Sequence, residues 1–289
     1  MKNLIALFVF AILLSVPVSG QVSLPPVSQK QEIAQTIGDT TIKIVYHRPT
    51  VQGRKIWDGL VPMGEVWRSG ANAATTFEVS KDVTINGKAL PAGKYSLHTI
   101  PTATDWTVIL NKDDGQWGSF SYDAAKDAVR ATSTPVKGTF NEAVTYSFVN
   151  PKPDSVDIHL AWENVAVPFT VGIGDIHGRT LGQIRDALAA AAADKKTPLH
   201  NQFASYVASF KLKQHLDEAM TNIDASIATR ETFGNLSVKA RLLGEQGKIA
   251  EAIVTGEKAI ATGKAATPPA NPNAVANFQK TVDEWKLKK

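Results

Sequence analysis

The hydrophobic positions change their period once along the chain. From Ile33 to Ile173 they recur at every second residue over short runs, and after Gly174 they spread to helical spacing. Thr41–Tyr46 sets Ile42, Ile44 and Tyr46 against Thr41, Lys43 and Val45, the alternation of a strand with one buried face. Similar runs lie at Ala73–Ser80, Val83–Gly87, Lys94–Ile100, Trp106–Leu110, Val129–Thr134, Val144–Val149, Ser155–Trp162 and Asn164–Ile173. Asn86-Gly87 carries the strongest short hairpin signal, and Leu90-Pro91-Ala92-Gly93 and Lys112–Gly118 are further turns. Many short strands with turns at this spacing predict an antiparallel β-sandwich or barrel.

Beyond Gly174, Leu181–Ala193 is alanine-rich and favours helix. Breaks follow at Lys196-Thr197-Pro198, Thr232–Gly234, Gly247 and Gly263–Pro272. The predicted class is therefore β + α in two domains: an antiparallel β-sandwich over 33–173 and a helical repeat-like domain over 174–289. Residues 21–32, with two prolines and several polar positions, are expected to be a linker.

An internal repeat marks the helical part. Phe203, Phe210, Leu216, Ala219 and Ile227 recur 33 residues later as Leu236, Leu243, Ile249, Ala252 and Ile260. The stretch Ala240–Ala261, with Gly247 at the turn, resembles a tetratricopeptide repeat, whose usual length is about 34 residues. Gln214 and Ser226 make the first copy degenerate, and Phe278 and Trp285 suit a helix that caps a short stack.

Candidate chemistry concentrates in Gly53–Thr76, GRKIWDGLVPMGEVWRSGANAATT, which reads as an ordered loop feeding a strand. Glu65, Trp67 and Arg68, with His98 from a neighbouring strand, are the expected ligand-binding residues. They supply a carboxylate, an aromatic platform, a planar guanidinium and a titratable imidazole. Strict alternation would put Arg68 opposite Glu65 and Trp67, so convergence requires a bend, which Ser69-Gly70 permits. A structural reading stands beside this one: Glu65 and Glu163 pair with Arg54 or Arg68, and Trp57, Trp67, Trp106, Trp117 and Trp162 fill the core. Asn72 suits a turn, because Asn tolerates the left-handed conformation.

Other chemistries find less support. His47, His98, His159, His177, His200 and His215 show no HxH, HxxxH or HExxH spacing, so no metal is expected. No GxSxG occurs, and GIGDIHG after Val171 lacks a full phosphate-binding fingerprint. Glu65, Asp58 and Glu163 offer paired carboxylates for glycoside chemistry if the fold sets them at suitable separation. No cofactor is expected.

Charge and address narrow the function classes. The net charge is +4, with 14 Lys and Arg against 15 Asp and Glu over 21–170, and 16 against 12 over 171–289. That mild, scattered excess gives no nucleic-acid footprint. Lys2, the apolar run Leu4–Val16 and Val18-Ser19-Gly20 predict a signal peptide over 1–20, cleaved after Gly20, and hence a periplasmic or extracellular address with no membrane span after cleavage. With no cysteine, disulfides, thiolate metal sites and a cysteine nucleophile are excluded.

Tyr46-His47-Arg48-Pro49, the Gly53–Thr76 block, Ile85-Asn86-Gly87-Lys88, Leu90–Gly93, Tyr95–Pro101, Trp106–Lys112, Gln116-Trp117-Gly118 and Leu160–Glu163 together resemble the secreted bacterial family catalogued as domain of unknown function 2911, over about residues 28 to 173. The resemblance implies an exported β-sandwich and assigns no reaction. Two functional classes follow. One is a non-catalytic ligand- or partner-binding protein, with a protein partner on its helical tail or a small molecule or glycan on its β domain. The other is a carbohydrate-active enzyme built on the Glu65/Arg68 region.

Overall fold

The computed structural model describes residues 25–287, so the expected signal peptide and its cleavage position lie outside the described residues. The chain divides into two compact units, one ending at Gly174 and the other beginning at Asp175. The first contains two antiparallel sheets and the second six α-helices.

The first sheet has the order β1 (Gln29–Ile37), β2 (Thr40–Arg48), β3 (Thr75–Val79), β6 (Gly93–Ile100), β7 (Trp106–Asn111) and β8 (Asp127–Ser133). The second runs β5 (Lys88–Leu90), β4 (Val83–Ile85), β10 (Ser155–Gly172) and β9 (Val136–Val149). They pack face to face as a sandwich. Phe77 of β3 meets Phe169 of β10 with ring centroids 6.3 Å apart, and Tyr46 of β2 meets Tyr146 of β9 at 4.7 Å. Ile42, Ile44, Leu97, Val108 and Leu110 from one sheet and Ile85, Ile158 and Val171 from the other are wholly buried. Each such side chain is worth about 1.5–3 kcal/mol relative to exposure. The β4–β5 hairpin turns on Asn86 and Gly87, both left-handed at φ 46° and 81°, which a two-residue turn of this hand requires.

Two strand boundaries differ from expectation. β1 begins at Gln29, inside the stretch read as linker. It is an edge strand whose residues are mostly polar, so no apolar alternation announced it, and its pairing with β2 holds it in place. Ser155–Trp162 and Asn164–Ile173 are not separate strands but one, β10, broken only by a bulge at Glu163. Glu163 is left-handed at φ 49°, and the register with β9 shifts on either side of it. A bulge adds a residue without ending the strand, so polar Glu163-Asn164 mimics a turn in the sequence.

The helical unit comprises α1 (Ile176–Ala190), α2 (Lys196–Phe210), α3 (Leu216–Thr229), α4 (Phe233–Glu245), α5 (Ile249–Ala265) and α6 (Pro272–Leu287). Neighbours in sequence pack together, most extensively α2 with α3 and α4 with α5. Thr232 and Asn235 form a reciprocal capping box at the start of α4, and Gly247, at φ 79°, turns α4 into α5. Ala219 and Ala252 are completely buried, as are their repeat neighbours Phe203, Leu216, Leu236 and Ile260 to within 9%. Phe210 departs from its counterpart: it is 54% exposed, whereas Leu243 is buried. Phe210 ends α2 beside the left-handed cap Lys211, where its ring packs on Tyr206 and His177 instead of the core. On the far side of α5, a Cβ on Gly256 would lie 2.6 Å from Cγ2 of Val282, so glycine sets the approach of α5 to α6.

Candidate functional site

Residues 49–72 leave β2 and reach β3 by way of isolated pairings with β9, at Thr50 with Ala143, and with β6, at Trp67 with Thr99. Their path is fixed by backbone pairing. Trp67 exchanges two hydrogen bonds with Thr99 of β6, its amide donating to the Thr99 carbonyl and its carbonyl accepting from the Thr99 amide, both at 2.8 Å. Two residues on, Ser69 is buried and left-handed at φ 54°. This is the bend that the alternation argument required. The Ser69 carbonyl accepts from the Tyr146 hydroxyl and the Thr75 hydroxyl, each at 3.0 Å, and Ser69 Oγ donates to Thr99 Oγ1 at 3.1 Å. Gln52, Asp58 and Asn72 are also left-handed, at φ 48°, 56° and 56°. Non-glycine residues held in this region concentrate strain where the surroundings over-determine the chain.

The bend places Arg68 and Trp67 in the wall of a cavity of about 310 Å3. Trp162 forms another part of that wall, with Arg54, Pro49, Leu60, Val61 and Ala71. Trp67 and Trp162 are stacked, with centroids 5.8 Å apart and 18° between planes. Trp57 meets both edge-on and touches Trp106 at 5.0 Å, so four indoles form one cluster. Trp162 immediately precedes the Glu163 bulge, and bulges commonly re-aim side chains beside functional sites.

Two of the residues that line the cavity carry a donor closed off from solvent and without a hydrogen-bond partner among the described residues: Arg68 Nε and Trp162 Nε1. Arg68 is half-buried, and desolvation depresses its guanidinium pKa below the ordinary value. Arg54 differs, because its guanidinium donates to the carbonyls of Val51, at 3.1 Å, and Thr50. The cavity wall contains no Asp or Glu.

Of the four residues expected to form the site, Trp67 and Arg68 therefore share one cavity, and Glu65 and His98 lie elsewhere. Glu65 is exposed, in a turn whose Gly64 amide donates to the Pro101 carbonyl at 2.7 Å. His98 follows Leu97 and precedes Thr99 on β6, so alternation sends it to the opposite face from the residue that pairs with Trp67. It is wholly buried there. Its Nδ1 lies 3.0 Å from Ser119 Oγ, its Nε2 lies 3.0 Å from Ser96 Oγ, and Tyr122 packs edge-on at 5.3 Å. Burial pushes its pKa down to about 4, against a smaller opposing effect of Asp127 and Asp113.

Sequence reasoning placed Arg54 in an ion pair and Trp162 either in the core or among the indoles able to stack on a sugar, and did not join them to Arg68. The available signal was the density of tryptophan and arginine in 54–68, but the distance in sequence to Trp162 hid their meeting. Asn72 adopts the left-handed turn expected of it, with its carbonyl accepting from the Gly118 amide at 3.1 Å and its side-chain amide nitrogen unpartnered. No group of three His, Asp or Glu among the described residues is arranged to hold a metal ion, and none of the described helices is long and apolar enough to cross a membrane.

A six-strand and a four-strand antiparallel sheet packed face to face define a β-sandwich. Residues 28–171 match the model of a family described as protein of unknown function (DUF2911), and the β unit belongs to that family. Comparison with curated proteins yields no match, and comparison with solved structures yields none either.

Proposed function

We propose that the chain is an exported, non-catalytic binding protein that receives a small anionic ligand in the cavity between Arg68 and Trp162. The carrying observation is the half-buried Arg68 guanidinium in the cavity wall, with no acidic neighbour in that wall. Desolvating a cation without a counter-charge is unfavourable, which favours an anionic ligand beside it. The glycoside-hydrolysis alternative requires two carboxylates flanking a substrate, and Glu65, Asp58 and Glu163 all lie outside this cavity wall.

Export rests on Lys2, the Leu4–Val16 run and Val18-Ser19-Gly20. The helical unit serves as a protein-docking arm in this reading, supported by its stacked hairpins and tetratricopeptide-like spacing. Cross-linking of the whole chain in its native compartment then maps a protein partner onto residues 175–287, and cross-links confined to the β unit would remove that role.

The binding reading is tested by thermal shift of the mature protein against organic anions, glycans and divalent metals. A ligand that binds only the folded state raises the apparent melting temperature. Anions are expected to raise it for the natural protein and not for Arg68→Ala. Stabilisation by glycans alone, or equal stabilisation of the variant, would overturn the assignment.

A further inference from the structure

The outer face of the six-stranded sheet carries an open groove of about 410 Å3. Strand parity builds it. Ile44, Tyr46 and Phe77 point into the core, so Lys43, Val45 and His47 of β2 and Thr76 and Glu78 of β3 point outward. Register sets Lys30 of β1 beside His47, Glu32 of β1 beside Val45, and Glu78 between Lys43 and Lys94 of β6. Ala73 and Ala74, just before β3, also line the groove.

Residues 112–118 run beside Ala73. The Ala74 amide donates to the Gln116 carbonyl at 3.0 Å, and the Gly118 amide donates to the Asn72 carbonyl at 3.1 Å. These two bonds frame Ala73 and Trp117 as a directly opposed, non-hydrogen-bonded antiparallel pair. Such a pair carries its two side chains on the same side at the closest cross-strand separation. Gln116, next in sequence, is buried, whereas Trp117 is 66% exposed. An indole therefore stands in solvent on the Ala73 side of this ribbon, next to the groove.

The groove is polar but carries no net charge. Lys43 pairs with Glu32 at 2.9 Å, and Lys94 pairs with Asp114 at 2.8 Å. The ammonium groups of Lys30, Lys43 and Lys94 thus stand among the carboxylates of Glu32, Glu78 and Asp114, one for one. Burial, and then the charge of Lys30, depress the pKa of His47, so its imidazole adds no charge at neutral pH. An anion meets as many carboxylates here as ammoniums. An apolar ligand would strip water from all of them without replacing its hydrogen bonds. The groove suits an uncharged molecule that both donates and accepts hydrogen bonds and has a flat C–H face for the indole. Hydroxyl groups do both, and the electron-rich face of an indole attracts C–H edges.

We infer that this groove binds a neutral saccharide, with one sugar ring stacked on Trp117 and hydroxyls bonded to the paired charges of Lys43 and Glu32 and to Thr76. The groove shares no lining residue with the Arg68 cavity, so the two readings stand or fall separately.

The test titrates the mature full-length chain with cellohexaose, maltohexaose and N-acetylchitohexaose, and with glycylglycine and inorganic phosphate for comparison. Calorimetry is one readout. The other is oxidation of Trp117 by N-bromosuccinimide, followed by peptide mass spectrometry. The expected result is binding of at least one oligosaccharide at least tenfold tighter than glycylglycine or phosphate, with Trp117 oxidation slowed severalfold. Trp117→Ala weakens that oligosaccharide at least tenfold and keeps the natural melting profile, because the ring stands in solvent. Thr76→Arg, which fills the groove from an outward-facing position, weakens it as much. Glycylglycine or phosphate binding as tightly as the oligosaccharides would overturn the assignment, and so would binding of no oligosaccharide. Unchanged oxidation of Trp117 in the natural protein at saturating oligosaccharide, or a Trp117→Ala chain that binds like the natural one, would remove the indole as the platform and the assignment with it.

Discussion

The hydroxyl of Tyr146, on β9 of one sheet, donates to the carbonyl of Ser69, at the bend that faces the cavity, across 3.0 Å. Tyr146 is buried, and burial raises its phenol pKa far above the ordinary value, so it remains a donor at every physiological pH. The bond therefore ties the left-handed Ser69 to the opposite sheet and sets the direction in which Arg68 leaves the chain.

Tyr146→Phe removes that donor while Thr75 Oγ1 still serves the same carbonyl. The expected loss is about 0.5–1.5 kcal/mol, the net worth of one hydrogen bond whose acceptor keeps a partner. Urea unfolding reads it directly. A loss near 3 kcal/mol would mean that Thr75 does not compensate.

Arg68→Met should leave stability within about 0.5 kcal/mol of the natural protein, or raise it, while abolishing anion binding. The guanidinium has no salt bridge to lose among the described residues, and its burial is unfavourable. Breaking a buried ion pair instead costs about 3–5 kcal/mol, so a penalty of that size in denaturant unfolding would reveal an acidic partner.

His98 predicts a pH dependence of opposite origin to that of the carboxylates. Its pKa is about 4 in the folded chain, against an ordinary 6.5. Between those values the unfolded chain binds the proton and the folded chain does not, so stability rises with pH through this window and falls as acid is added. The contribution is complete above about pH 6.5 and reaches about 3 kcal/mol across the shift. Titration of the His98 imidazole by NMR should give a midpoint near 4, and a midpoint near 6.5 would contradict the burial. His98→Gln should flatten the slope of stability between pH 4 and 6.5.

The alternation of Ile42, Ile44 and Tyr46, or of Val165, Val167, Phe169 and Val171, was enough to place strands, because a half-buried sheet imposes period two on the sequence. The first four residues of β1, Gln29–Glu32, were read as linker because an edge strand with one solvated face does not need apolar alternation. Ser155–Trp162 and Asn164–Ile173 read as two strands because the polar residue at the Glu163 bulge interrupts the alternation without ending the strand. Arg68 and Trp67 were legible as a pair because they are neighbours in sequence. Trp162 was not legible as their partner, since only the closure of the two sheets brings it there. His98 was drawn into the same group by its chemistry alone, and strand parity turned it to the other face.

Gly256 gives a test of the helical unit. Gly256→Val adds a side chain whose Cβ meets Val282 Cγ2 at 2.6 Å, so α5 and α6 must separate or repack. Overpacking of this kind costs about 1–3 kcal/mol, against which a gain in helix propensity of a few tenths offers little. A melting profile equal to that of the natural protein would show that α6 does not rest on α5 as described.

Of the six tryptophans, Trp57, Trp67, Trp106 and Trp162 touch, Trp117 stands in solvent, and Trp285 lies under Gly244 and Gly256. Indoles held at 5.0–6.0 Å in fixed orientations, one pair stacked and the others edge-on, share their electronic excitations. The four therefore act optically as one chiral chromophore rather than four separate ones, and their coupled circular dichroism is a signature that neither Trp117 nor Trp285 can produce. Because two of the coupled rings are also cavity wall, a ligand pressed against them must change the sign or amplitude of that band, giving the β unit a built-in optical gauge of occupancy that needs no added label.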